Sequence, residues 1–313
     1  MDRREEPLAG HPRYKRLKDL SSGGFAFVQL ALDRDTGEKV AIKFLLRGPN
    51  INKNVWREVF NHRPLLHHHV ILFKRVFLTT RYLGIVLEYA PGGDLLTFVQ
   101  RRGMSEEVAR WFFQQLIIGL DYLHRMGVAS RDIKPENALL DDREWPLLKI
   151  CDLGWSIGDE DSPARSSVGT RPYYAPEVVC AARGGPYDAK RADIWSCGVF
   201  LYVLLVGAYP FEGAGDPEDS SPNVLTRIVD VDYAVPKGAM SAQAEGLVAM
   251  LLRKDPEERP SIREIQAHPW YRVGLPRGAT EMNDALVMRM DSDMQPEADI
   301  LDILAEAVRL PDE

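Results

Sequence analysis

The sequence predicts an α+β protein, on three observations. Up to about Leu87 the chain is rich in strand-length apolar runs and holds a single helical segment. Pro91-Gly92-Gly93 then breaks the chain. Beyond that break the apolar residues recur at helical spacing.

Phe27–Leu32 and Lys39–Phe44 flank Asp35-Thr36-Gly37, residues suited to a tight turn, so the pair reads as a hairpin. Asn54–Arg63 reads as a helix stopped by Pro64, and Val70–Leu78 and Leu83–Leu87 as strands. Ser105-Glu106-Glu107 opens a helix with acidic residues in its first turn. Val108, Phe112, Leu116, Leu120 and Leu123 continue it on one face, and Gly127 ends it. Leu147–Ile150 reads as a strand. Ile194–Val206 is apolar all round, as a helix buried on every side would be. Ala242–Leu252 and Ile262–Ala267 read as shorter amphipathic helices. Ile300, Ile303, Leu304, Ala307 and Val308 form one stripe of a tail helix at about 297–309. That stripe needs an apolar surface to bury against.

A chain of 313 residues with 45% apolar composition can build one large two-lobed domain or two small ones. The net charge of −7 argues against nucleic-acid or anionic-membrane binding. Cys151, Cys180 and Cys197 are widely spaced and odd in number, which suits neither a disulfide framework nor a zinc site. The charges at Met1–Glu6 are followed by no apolar stretch, and no run reaches the ~18 apolar residues of a membrane span. The expectation is a soluble protein, cytoplasmic and/or nuclear.

Two segments carry chemistry. Ser130-Arg131-Asp132-Ile133-Lys134-Pro135-Glu136-Asn137 puts a carboxylate, an ammonium and an amide in one loop. Asp152-Leu153-Gly154 adds a second carboxylate just after the strand Leu147–Ile150. Phosphoryl transfer needs a carboxylate to orient the attacking hydroxyl (Asp132), a cation by the γ-phosphate (Lys134) and oxygen ligands for magnesium (Asn137 and Asp152). Upstream, Ser21–Val28 is a loop of small residues that would let backbone N–H groups approach a triphosphate. Lys43 and Glu58 stand on the adjoining strand and helix as a candidate ion pair.

These segments resemble those of eukaryotic Ser/Thr protein kinases, over Tyr14–Tyr271. Val40-Ala41-Ile42-Lys43, Thr170 with Tyr174-Ala175-Pro176-Glu177, Asp193-Ile194-Trp195-Ser196-Cys197-Gly198 and Arg259 extend the likeness. The resemblance implies a bilobal protein kinase fold. The kinase domain would span 14–271, with a β-rich N-lobe at about 14–87 carrying one regulatory helix, a hinge at 88–94 and a helical C-lobe at 95–271. A regulatory tail with an amphipathic helix would occupy 276–313. ATP and Mg2+ are the implied cofactors. Asp132 and Lys134 would be catalytic. Ser21, Gly23, Gly24, Ala26, Val28, Ala41, Lys43, Glu58, Leu87, Glu88, Ala90, Asp94 and Asn137 would form the nucleotide site, and Asn137 and Asp152 would hold the metal. Asp193, Glu177 and Arg259 would be structural.

The chain departs from the family at four positions. Ser130 replaces His, Leu153 replaces Phe, and Ser21 and Ala26 replace patterned glycines. They motivate an alternative, an ATP-binding pseudokinase or scaffold. A plain binding module would explain the tail stripe but not the set Lys43, Glu58, Asp132, Asn137 and Asp152. A small-molecule kinase would not be expected to keep Thr170 and Ala175-Pro176-Glu177.

Arg57–Arg63, Tyr202–Glu212 and the acidic helix near Asp299–Arg309 are most similar to the plant osmotic-stress-activated, sucrose-nonfermenting-related kinases of the abscisic-acid pathway. In that subfamily the tail helix packs on the helix carrying the Glu58 equivalent. The resemblance implies stress signalling and control by phosphorylation at Ser166, with Ser162, Ser167 and Thr170 as further candidates. It also implies an upstream kinase and a type-2C protein phosphatase as partners. Protein substrates would present a Ser or Thr acceptor, and an Arg three residues before it would face Glu136 and Asp94. Asp94 has a second reading, as a ligand of the ATP ribose alone.

Overall fold

The computed structural model describes residues 6–22, 26–99, 103–154, 156–158, 164, 169–181, 185–213, 221–289 and 294–310. The chain divides into two compact units, one made of 1–66, 71–90 and 290–313, the other of 67–70 and 91–289. The family of secondary structures is α+β, with the antiparallel sheet in the first unit and most helices in the second.

In the first unit β1 (Tyr14–Ser22), β2 (Ala26–Asp33), β3 (Lys39–Leu46), β4 (Phe73–Leu78) and β5 (Tyr82–Glu88) form a sheet in the order β1-β2-β3-β5-β4. The turn between β2 and β3 falls at the expected residues. The Gly37 N–H donates to the Asp33 carbonyl at 2.8 Å, and Gly37 takes the positive φ of 75° that glycine tolerates. Along β3 the side chains alternate. Val40, Ile42 and Phe44 are fully buried in a cluster with Tyr14, Ala31 and Tyr82, while Ala41 and Lys43 face the other way and remain partly exposed.

Helix α1 (Lys53–His62) starts on Asn52, whose side chain accepts from the Asn54 N–H at 2.9 Å, and it ends before Pro64. Val55 and Val59 pack with Val76, Leu83 and Ile85, and the same cluster takes in Ile300, Leu304 and Ala307. These three belong to the tail helix Glu297–Ala307, so the centre of the predicted stripe is buried within the first unit, whereas Ile303 is only partly buried and Val308, just past the helix, is exposed. Polar contacts fix the register of the tail. Arg47 Nη2 donates to the Glu306 carbonyl at 3.1 Å and to its carboxylate at 2.8 Å, and the Gly48 N–H donates to the Ala307 carbonyl. Gln295 pairs with both main-chain groups of Val76, at 2.8 and 3.2 Å.

The second unit holds α2 (Leu95–Phe98), α3 (Glu106–Arg125), α4 (Pro176–Ala181), α5 (Ala189–Val206), α6 (Ser221–Asp230), α7 (Ala242–Leu251), α8 (Ile262–Ala267), α9 (Pro269–Arg272) and α10 (Met282–Leu286). Its short strands are β6 (Gly93–Asp94), β7 (Val128–Ala129), β8 (Ala138–Leu140), β9 (Leu148–Ile150) and β10 (Ile157–Gly158), paired as β6-β8-β9 and β7-β10. Helix α5 is buried on all sides, as its composition predicts. It begins at Ala189 rather than Ile194, because Asp188 caps it by accepting from the Lys190 and Arg191 N–H groups. Among the described residues no helix is long and apolar enough to cross a membrane.

Helix α10 is anchored on α3 by a buried polar chain. Asn283 Nδ2 donates to the Ile118 carbonyl (2.9 Å) and to Asp121 (2.8 Å), and Asn283 Oδ1 lies 3.0 Å from His67 Nε2. The His69 N–H donates to His67 Nδ1 at 3.0 Å, which requires a neutral His67 imidazole carrying its proton on Nε2. His69 Nδ1 lies 2.9 Å from the Leu148 carbonyl. Burial is the main force that lowers both histidines, His67 to about 3 and His69 to about 4. Unfolded, each would titrate near 6.5, so between pH 6.5 and 4 the unfolded chain binds more protons than the folded one. Stability is therefore complete above pH 6.5 and falls as the pH drops. Denaturant titrations at pH 7.5 and pH 5 are expected to differ by roughly 2 kcal/mol for each of these histidines. A His67→Asn variant with an unchanged pH slope would contradict the assignment.

Candidate active site

Strand β7 leads into the loop 130–137, whose backbone is fixed from α5. Asp193, fully buried, accepts the Ser130 N–H at 2.9 Å and the Arg131 N–H at 2.7 Å, and it lies 2.9 Å from His124 Nε2. Arg131 sits at φ 65°, a left-handed conformation that costs a residue with a side chain roughly 1–2 kcal/mol. The two bonds to Asp193 hold it there, and this bend turns Asp132 into place.

Asp132 is buried and its carboxylate is well supplied with donors. Oδ2 accepts from Lys134 Nζ at 2.8 Å and from Asn137 Nδ2 at 2.7 Å, while Oδ1 accepts from the Thr170 hydroxyl at 2.8 Å. Lys134 Nζ also reaches Thr170 Oγ1 at 2.5 Å. Thr170 can come this close because Gly169 precedes it. A Cβ at Gly169 would stand 2.5 Å from the Arg131 carbonyl, and φ there is 109°. An aliphatic hydroxyl, a carboxylate and an ammonium thus meet within one cluster.

Asp152 follows β9 and is exposed, at φ 56°. The β8–β9 register pairs Ala138 with Ile150, and the Cys151 N–H donates to the Asn137 carbonyl at 2.9 Å. The strands therefore bring Asn137 beside the residue preceding Asp152. Asn137 spends its Nδ2 on Asp132, which leaves its side-chain Oδ1 as the atom it can offer to a cation. An amide oxygen and a carboxylate are hard oxygen ligands of the kind magnesium takes.

In the first unit, Lys43 on β3 and Glu58 on α1 form the expected ion pair at 2.5 Å, with both side chains largely buried. Val28 pairs across the sheet with Lys43, and Ala41 with Leu87. Ser21 lies exposed at the end of β1, and Ala26 begins β2. Glu88 accepts the Leu72 N–H through its carboxylate at 3.1 Å, and Ala90 is buried. Asp94 caps α2, accepting from the Thr97 N–H and hydroxyl at 3.0 Å. Glu136 accepts from the Tyr173 hydroxyl at 3.3 Å. Gly23, Gly24, Ser162, Ser166 and Ser167 lie outside the described residues.

Of the four departures from the family, Ser130 and Leu153 are packing residues. Leu153 is buried, 1% exposed, and Ser130 is wholly buried with no hydrogen-bond partner for its hydroxyl among the described residues. An unmet buried hydroxyl is destabilising, so Ser130→Ala is expected to raise stability by about 1 kcal/mol in a thermal or denaturant melt. A fall of the same size would mean that the hydroxyl is bonded. The donor His124, which completes the contacts of Asp193, was not singled out from the sequence. It stands near the end of an amphipathic helix, where a histidine reads as solvated.

A family profile described as "Protein kinase domain" matches residues 14–271. The serine/threonine-protein kinase SAPK4 of Oryza sativa subsp. japonica is 43% identical over 307 residues, covering 96% of this chain and 84% of the relative. The serine/threonine-protein kinase SRK2E of Arabidopsis thaliana is 44% identical over 306 residues, covering 96% and 83%. The serine/threonine-protein kinase SRK2A of Physcomitrium patens is 42% identical over 302 residues, covering 95% and 85%. With likeness of this extent on both measures, the chain belongs to the protein kinase family, among its serine/threonine kinases.

Proposed function

We propose that this kinase transfers the γ-phosphoryl group of ATP to serine and threonine hydroxyls of protein substrates, with Asp132 as the residue that orients and deprotonates the acceptor. The observation that carries this reading is the Asp132–Lys134–Asn137–Thr170 cluster, in which an alcohol oxygen already donates to the Asp132 carboxylate at 2.8 Å. Lys134 places positive charge beside the position of the transferring group. Asn137 and Asp152 would hold Mg2+, which when bound would neutralise charge on the phosphates. Lys43, oriented by Glu58, would bind the α- and β-phosphates. The small residues Ser21, Gly23, Gly24 and Ala26 would let the backbone approach them, with Val28, Ala41 and Leu87 as apolar contacts. Glu88 and Ala90 would hold adenine through their backbones, and Asp94 the ribose or a substrate arginine.

No described residue favours the scaffold alternative. The substitutions at Ser130 and Leu153 lie in buried packing positions, and the sequence keeps Lys43, Glu58, Asp132, Lys134 and Asp152, which supports the active reading. The resemblance to the plant enzymes supports a role in osmotic or other stress signalling. It also supports control through phosphorylation of Ser166, Ser162, Ser167 or Thr170 by an upstream kinase and reversal by a type-2C phosphatase, in the cytoplasm or nucleus. Radiolabelled phosphate transfer to Ser/Thr peptides, by wild type and Asp132→Asn side by side, tests the reading. Equal, background-level incorporation by both would overturn it.

A further inference from the structure

The side chain of Arg131 reaches a tyrosine far along the chain. Its Nε and Nη2 donate to the Tyr187 hydroxyl oxygen at 3.0 and 2.6 Å, and the guanidinium carbon lies 5.6 Å from the centre of the Tyr187 ring. Tyr187 is 5% exposed and immediately precedes Asp188, the cap of α5. Its main chain is engaged as well. The Tyr187 N–H donates to the Ala164 carbonyl at 2.9 Å, and the Ala164 N–H donates to the Tyr187 carbonyl at 3.0 Å. Arg131, Asp132, Thr170, Tyr187 and Asp193 border one small cavity.

We propose that Tyr187 is a positioning residue for phosphoryl transfer, its phenol oxygen anchoring the Arg131 guanidinium while its main chain anchors Ala164 in the segment that leads to Thr170. The proposal deepens the kinase reading and rests on it. Arg131 adopts a strained left-handed backbone directly before Asp132, so the placement of Asp132 depends on what holds Arg131. Asp193 holds the Arg131 N–H, and Tyr187 holds the far end of the same residue. A phenol suits this task because it accepts two N–H groups without cancelling the charge of the guanidinium. Burial raises the Tyr187 hydroxyl pKa, against the opposing pull of Arg131, and so keeps the phenol protonated. One residue therefore ties the loop carrying Asp132 to Ala164, through its phenol oxygen on one side and its main chain on the other.

Tyr187→Phe removes the oxygen and keeps both the ring and the main-chain bridge. Its kcat is expected to fall about tenfold, as the loss of a charge-assisted hydrogen bond implies, while KM for ATP stays within about twofold. A melting curve on the same samples confirms the folded state. In an Arg131→Met background the same substitution is expected to leave kcat unchanged, because its partner is already gone. Wild-type kcat in Tyr187→Phe, or an equal loss in the Arg131→Met background, would overturn the proposal. Background turnover by the wild type itself would overturn the kinase reading, and this proposal with it.

Discussion

Asp132→Asn is expected to lower kcat about 10²–10⁴-fold while the melting temperature stays near that of the wild type, the range set by loss of a positioned general base. The carboxylate accepts on both sides, from Lys134 and Asn137 at Oδ2 and from Thr170 at Oδ1. An asparagine can turn its carbonyl oxygen to the two nitrogen donors and its amide to the Thr170 oxygen, which can accept. The cluster is then still bonded, so the fold should tolerate the change. What disappears is the acceptor for the substrate hydroxyl proton, because an amide N–H now faces that side. KM values for ATP and peptide should move little, since the interaction lost belongs to the transition state. Turnover within a factor of ten of the wild type would remove Asp132 from its assigned role.

The parts of this protein that were legible in its sequence are those where chemistry or periodicity leaves few options. Asp132, Lys134, Asn137 and Asp152 stand out because the two segments that hold them resemble those of Ser/Thr protein kinases. Helix α5 and the tail helix stand out because their apolar patterns have only one regular solution. The misses have physical causes. The start of α5 was hidden because Lys190, Arg191 and Asp193 read as polar, although Asp193 is buried and satisfied by three donors. Strand β1 was hidden because it is an edge strand bearing Lys15, Arg16, Lys18 and Asp19, all exposed, with no apolar run to announce it. The strand expected from Val70 begins at Phe73, since Val70 instead bridges Ile150 in the second unit. Helix α10 is too short to show a period, and its key residue Asn283 is polar yet fully buried. Contacts such as Arg131–Tyr187 join residues too far apart in the chain for any local pattern to reveal.

Arg259→Met is expected to destabilise the protein by about 3–5 kcal/mol, the range for breaking one side of a buried ion pair. Arg259 is fully buried in the turn after Pro256–Glu258 and uses its whole guanidinium. Nη1 and Nη2 each donate to a Glu177 oxygen at 2.6 Å. The remaining N–H groups reach the carbonyls of Arg253 (2.9 Å), Arg191 (2.9 Å) and Lys254 (3.2 Å), and the cation lies 5.2 Å from the Trp195 ring. Truncating it strands the Glu177 carboxylate on α4 and leaves three carbonyls without this donor. Replacing both partners, in Arg259→Met with Glu177→Met, removes the stranded charge and should recover part of the loss. The recovery should be incomplete, because the carbonyls of Arg253, Arg191 and Lys254 still lack this donor. The order expected in urea denaturation is therefore wild type, then the double variant, then Arg259→Met. A double variant less stable than the single one would show that the pair is not the main source of the loss, and that the backbone carbonyls and the Trp195 face depend on Arg259 more than Glu177 does.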